Sequence, residues 1–235
     1  VWSVHGAVNA DGSDWLVEVL NDGPALNGFD RAKNGTMVFT AETPKHPSEV
    51  YLMNKGETSP ERITFHNKWL DNKSLATQEI VRYEASDGLE IHGLLIKPLN
   101  YREGEKYPLI TVVHGGPESH YSNGWLTHYS TVGQVGAALG YAVFYPNYRG
   151  STGRGEEFLK SSQADMAGKE FDDVVDGVDY LIEQGIADEE KVGVTGGSYG
   201  GYATGWFATR YTNRFAAGVM FVGISNNISK WGTGD

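Results

Sequence analysis

The segment Lys191-Val192-Gly193-Val194-Thr195 reads as a β-strand and runs directly into Gly196-Gly197-Ser198-Tyr199-Gly200, after which residues 202–210 are helix-compatible. A strand, a serine among glycines and a helix, in that order, constrain this chain more than any other feature. The pattern is G-x-S-x-G in the setting of a nucleophile elbow. Ser198 would then occupy a sharp, strained turn that lifts its hydroxyl above the end of a sheet. Neighbouring chain passes close on both sides, so a Cβ two residues before or after the serine would clash. The first amides of the helix face the same point and favour developing negative charge. The alternative is a glycine-rich turn without chemistry, and the flanking strand and helix weigh against it.

Other segments extend the pattern. Residues 109–113 and 141–145 are apolar runs, and residues 216–224 form a fourth predicted strand. Residues 170–184 carry Phe171, Val174, Val175, Val178, Leu181 and Ile182 at helical spacing, with Gly185 as the expected C-terminal cap. Buried strands separated by helices predict a parallel α/β sheet. Residues 79–83 and 89–96 flank Ser86-Asp87-Gly88, a hairpin signal. Before residue 75 the reading is different: short strands at 36–40, 49–53 and near 15–20, with turn signals at Lys33-Asn34-Gly35 and at 44–47. Such strands suggest a sandwich, barrel or propeller blade, and they are too few to close a sheet.

Directly after the strand at 109–113 comes His114-Gly115-Gly116-Pro117. In a sheet of this kind the loop after that strand supplies one amide of an oxyanion hole, and the residue after the nucleophile supplies the other. The candidate donors are therefore the backbone of Gly116 or Gly115 and that of Tyr199. An ordinary tight turn is the competing explanation for the loop alone. The two motifs together are far more specific than either one.

Composition narrows the chemistry. The 235 residues carry 19 Lys and Arg against 30 Asp and Glu, a net charge of −11, which argues against a nucleic-acid partner. No apolar stretch reaches the roughly 18 residues of a membrane span. Zero cysteines exclude disulfides, thiolate metal sites and a cysteine nucleophile. There is no P-loop, and no histidine pair has H-E-x-x-H spacing, so neither a nucleotide cofactor nor a metal is expected. Asp172, Asp173, Asp176 and Asp179 read as a solvated helix face.

With the motifs placed, the chain resembles the prolyl oligopeptidase family of serine peptidases, in its acylaminoacyl-peptidase and dipeptidyl-peptidase-like branch. The carrying residues are Ser86-Asp87-Gly88, Lys106-Tyr107-Pro108, 113–117, Asn147-Tyr148-Arg149-Gly150-Ser151-Thr152-Gly153 and 196–202. The resemblance implies an α/β-hydrolase domain preceded by the last portion of a β-propeller, divided as residues 1–75 and 76–235. It implies Ser198 as nucleophile, Tyr199, Gly116 and Gly115 as oxyanion residues, and short peptides as substrates. It also implies a substrate pocket at Ile224 and Asn227, with Trp231 as a substitute wall where relatives often carry Trp in place of Asn227. A loop unrelated to substrate is the alternative there. Arg149 is expected to be a salt-bridge residue rather than a substrate clamp.

One departure matters most. The triad order on this fold is Ser, Asp or Glu, then His. The residues after Ser198 include no histidine, and Asp235 is the only acid among them. Asp235 comes too early in the pattern of the resemblance. His114 lies in the oxyanion loop and is not assigned as the base. The expectation is a chain truncated at both ends, with the triad Asp and His beyond residue 235 and the piece alone inactive. An ester hydrolase on the same fold and a non-catalytic relative stand as alternatives. Oligomeric state, peptide specificity and compartment, cytoplasmic or periplasmic and secreted, are open at this stage.

Overall fold

A computed structural model describes residues 4–14, 16–20 and 23–233. The chain divides into two compact units, residues 1–74 with 122–126, and residues 75–121 with 127–235. Trp15, at the start of a predicted strand, and Asp235 lie outside the described residues.

The first unit is β-structure. Strands β1 (Val4–Ala7) and β2 (Leu16–Leu20) pair antiparallel. Strands β3 (Ala25–Arg31), β4 (Met37–Thr43), β5 (His46–Met53) and β6 (Glu61–Arg62) form an antiparallel sheet in chain order. That meander is the make-up of one propeller blade. Alternation places Met37, Phe39 and Ala41 of β4 and Tyr51 and Met53 of β5 in one small core. Glu49 of β5 is also buried, and its carboxylate accepts from the Arg62 guanidinium, the Thr64 hydroxyl and the backbone N–H of His66. Burial alone would raise its pKa, but the bonds from Thr64 and His66 hold it at about 2.

The second unit is built on a six-stranded sheet. Its strands are β7 (Gln78–Glu84), β8 (Glu90–Ile96), β9 (Tyr107–Val113), β10 (Ala142–Asn147), β11 (Ala187–Gly197) and β12 (Ala217–Phe221). The order is β12-β11-β9-β10-β8-β7. The four strands β10, β9, β11 and β12 run parallel, whereas β8 is antiparallel to both β10 and β7. The sheet is therefore mixed, not parallel throughout. The hairpin at Ser86-Asp87-Gly88 brings the chain in antiparallel before the first crossover begins. Helices α1 (Gly133–Ala138), α2 (Glu156–Lys160), α3 (Lys169–Glu183), α4 (Tyr199–Arg210) and α5 (Asn227–Thr233) complete the unit. Among the described residues no helix is long and apolar enough to cross a membrane.

Helix α3 buries Phe171, Val174, Val178 and Leu181 against the sheet, each such side chain contributing roughly 1.5–3 kcal/mol. Gly177 lets it approach closely, since a Cβ there would lie 2.7 Å from the Tyr83 ring and 2.8 Å from Phe144. The helix ends as expected, with Gly185 at φ 71° and its N–H donating to the Ile182 carbonyl.

The acidic residues of α3 do not form a solvated face. Asp173 is fully buried and paired with Arg149, Asp172 accepts from the Tyr211 hydroxyl, Asp176 from the Ser86 N–H, and Asp179 faces Arg214. Charge at helical spacing looks the same whether it meets water or a partner distant in sequence. Arg149 is a salt-bridge residue, as expected. One guanidinium binds Asp87 in the β7–β8 turn through two nitrogens at 2.8 Å and Asp173 at 2.7 Å. Its hydrogen bonds to Asp87 and then Asp173 raise its pKa further above its already high value. Removing the cation would leave Asp173 buried and unpaired, so Arg149→Met is expected to cost about 3–5 kcal/mol in urea melts. Asp87→Asn should cost less, because Asp87 is partly exposed. Equal losses from both would show that the burial of Asp173 is not what matters.

Candidate active site

β11 ends at Gly197 and α4 begins at Tyr199, leaving Ser198 alone between them. Its backbone sits at φ 57°, ψ −119°, a conformation that costs a residue with a Cβ on the order of 1–3 kcal/mol. Packing on both sides holds it there. The Ser198 N–H donates to the Phe221 carbonyl at the end of β12, at 3.2 Å. A Cβ on Gly196 or Gly200 would collide with the Val113 carbonyl at the end of β9. A Cβ on Gly201 would lie 2.5 Å from the Phe221 carbonyl oxygen and 2.6 Å from the Gly223 Cα. The clash expected from sequence at positions 196 and 200 is thus present, and Gly201 adds a third. Ser198 itself is exposed, and its side chain makes no capping bond to α4.

The loop after β9 reaches the same point. A Cβ on Gly115 would lie 3.2 Å from the Ser198 Cβ and 3.7 Å from its Oγ, so this backbone lies against the serine side chain. Gly116 has φ 123°, and a Cβ there would stand 2.5 Å from the Glu118 amide nitrogen. Only glycine fits. The Gly116–Pro117 peptide is cis.

His114 points into the protein rather than out. It stacks on Tyr148 with centroids 4.2 Å apart, and its Nδ1 and Nε2 lie 2.8 Å from the Gly115 carbonyl and 2.9 Å from the Ser151 hydroxyl. Both ring nitrogens are engaged in holding the loop. Three further contacts join this segment to the end of β10 and the turn after it. The Asn147 side chain accepts from the Tyr121 N–H at 2.7 Å and donates to its carbonyl at 3.0 Å. Thr152 N–H donates to the Ser119 carbonyl at 2.9 Å. The His120 ring sits 2.7 Å from the Thr152 hydroxyl. Asn147, Ser151 and Thr152 were visible in the sequence only as parts of a motif, without a role.

On the other side of the elbow the Tyr199 side chain turns inward and its hydroxyl donates to Glu170 at 2.7 Å. Ile224 and Asn227 line a groove of about 540 Å³ together with Tyr202, Trp206, Met220 and Ile228. Asn227 also contacts the Met166 sulfur at 3.6 Å. Trp231 is 90 % exposed and outside that lining. Among the described residues no group of three or more carboxylates and imidazoles could hold a metal ion.

A serine lifted between a parallel strand and its helix, with a glycine loop from the adjacent strand against it, defines a domain of the α/β-hydrolase type. Residues 127–235 match the family model of the prolyl oligopeptidase family. Over 212 residues the chain is 38 % identical to an uncharacterized peptidase, YuxL, of Bacillus subtilis (strain 168), covering 89 % of this chain and 32 % of that protein. It is 44 % identical over 216 residues to dipeptidyl aminopeptidase BIII of Pseudoxanthomonas mexicana, with 89 % and 31 % covered. The solved structure of Pyrococcus horikoshii acylaminoacyl peptidase superimposes with a TM-score of 0.81 at 31 % identity, over 94 % of this chain and 34 % of that one. The chain belongs to the prolyl oligopeptidase family. It spans about a third of the length of these relatives.

The His114 environment gives a pH signature. Burial lowers its pKa from 6.5 to about 4, so the folded protein holds the ring neutral. An unfolded chain protonates it near 6.5. As pH falls from 6.5 toward 4, the unfolded state gains a proton that the native state refuses, and up to about 3 kcal/mol of stability is lost. Thermal melts between pH 7 and 4.5 should show this slope, and His114→Gln should flatten it whatever its effect at pH 7. An unchanged slope in that variant would place the acid sensitivity elsewhere, with His92, also held at about 4 chiefly by burial, the next group to test.

Proposed function

We propose that this chain carries the nucleophile and oxyanion part of a serine peptidase that cleaves short peptides. The observation that supports it most is the exposed Ser198 hydroxyl, held at a strained backbone angle with the Gly115 backbone against it. In this reading the Ser198 Oγ attacks the peptide carbonyl carbon, and its proton passes to a general base. The resulting oxyanion accepts hydrogen bonds from the Tyr199 N–H and from Gly116 or Gly115. Collapse expels the amine, which takes the proton from the base, and leaves an acyl-enzyme that water hydrolyses. The groove at Ile224 and Asn227 takes the side chain next to the cleaved bond. Names of the relatives, a dipeptidyl aminopeptidase and an acylaminoacyl peptidase, favour peptides over simple esters.

All seven histidines of the chain precede Ser198. On this fold the acid and then the histidine follow the serine in sequence, so this reading assigns both to the reading frame after residue 235. A frame lacking either would overturn it. In the full-length protein a fluorophosphonate probe should label Ser198 and leave Ser198→Ala unlabelled. That variant should lose peptide turnover by a factor on the order of 10⁴ or more. Labelling together with turnover of p-nitrophenyl esters, but of no peptide amide, would instead favour an ester hydrolase.

A further inference from the structure

The residue after the nucleophile has two ends, and the reading above uses only its backbone. The Tyr199 side chain is buried, 5 % exposed, in a site where no substrate would reach it. Its ring packs against Phe171 and Tyr202, with centroids 5.7 and 5.6 Å away. Its hydroxyl donates to Oε1 of Glu170 at 2.7 Å. Glu170 is fully buried in the first turn of α3, and the same carboxylate accepts the backbone N–H groups of Ala167 at 2.6 Å and Gly168 at 3.1 Å. Those three partners are all donors, which matches an ionised carboxylate. Ala167 is itself held at φ 61°, a backbone conformation that a residue with a Cβ rarely adopts.

A fully buried carboxylate is expensive, and burial does push the pKa of Glu170 upward. A glutamine or an apolar side chain would fill the same first turn at lower cost. What the carboxylate adds is a rigid link between two backbones. One end fixes the turn entering α3, which Arg149 and Asp173 fix a turn further on. The other end fixes Tyr199, whose Cα carries the peptide that follows Ser198. With ring, hydroxyl and both neighbours held, the Tyr199 N–H has one direction.

We propose that Glu170 and the Tyr199 hydroxyl are positioning groups that aim the Tyr199 amide at the oxyanion, through a chain running from α3 to the elbow. This rests on the serine-hydrolase reading above. It differs from a packing role in one respect: loss of the bond should be felt when charge develops on the substrate oxygen and not when substrate binds.

The test uses the full-length protein and two variants. Tyr199→Phe deletes one oxygen and keeps the ring. Glu170→Gln keeps an acceptor for Tyr199 but sets an amide N–H against the backbone donors. Removing an oxyanion donor outright costs about 10²–10³ in kcat, so loosening one should lower kcat about tenfold in Tyr199→Phe, with KM within about twofold. Glu170→Gln should lower kcat in the same direction, and the phosphonylation rate of Ser198 should fall with it. If both variants melt at lower temperature but keep the parent kcat, the bond is structural and the proposal fails. A raised KM at unchanged kcat would overturn it too. If the unmodified full-length protein neither labels nor turns over a peptide amide, the hydrolase reading itself has failed, which is a distinct outcome. Should Glu170→Gln not fold, the isosteric Tyr199→Phe still decides.

Discussion

The left-handed backbone at Ser198 is the constraint on which the rest of the second unit depends. It is the price of lifting a side chain above the end of a buried sheet, and local sequence cannot hold it. The turn is held from outside, by the Val113 carbonyl where β9 ends and by the Phe221 and Gly223 backbones where β12 ends. Those contacts require bare backbone at positions 196, 200 and 201. They also require β9, β11 and β12 to be adjacent and parallel, so the sheet order and the elbow are one requirement seen at two scales.

Buried charge organises the side of the elbow that faces α3. Arg149 ties the β7–β8 turn to the second turn of α3, and Glu170 ties the start of α3 to Tyr199. Each ionic group meets its partners through several short bonds, the condition under which buried charge is tolerated at all. Exposed pairs such as Arg82 with Glu90 contribute little by comparison. Apolar packing of Phe171, Val174 and Val178 supplies most of the adhesion of α3 to the sheet. The ionic contacts add register: they determine which turn of the helix stands beside the serine. On the loop side, neutral His114 and Asn147 perform the equivalent task without charge.

Legibility from sequence followed the range of the interaction. The elbow, the glycine loop after β9 and the α3 stripe are local patterns, and each stands within a few residues of its expected place. β11 begins at Ala187 rather than at 191, because an irregularity between Ala187 and Val192 lets the strand continue through charged residues. β12 stops at Phe221 rather than at 224, where Val222 takes φ 42°. The reading failed for the Asp face of α3, since Asp173 and Arg149 are far apart in the chain and periodicity is blind to partners. It gave no role to Glu170 for the same reason. A glutamate in a first helical turn normally serves the helix dipole in water, and only the fold brings Tyr199 over it.

The separation of parts within this region has a mechanistic consequence. The angle of Ser198, the approach of Gly115 and the lock on Tyr199 all arise from residues between positions 113 and 223. None of them requires a histidine beside the serine. On the proposed reading, electrostatic preorganisation and general-base catalysis are built from different stretches of chain. Serine hydrolases stripped of their triads still retain rate enhancements of about 10³–10⁴ over water from the oxyanion hole and binding. A scaffold that sets amide direction before any base arrives is consistent with that residue of activity. It follows that substitutions along the route from α3 to Tyr199 should act on charge stabilisation and leave the protonation state of the base alone. Substitutions of the base should do the reverse.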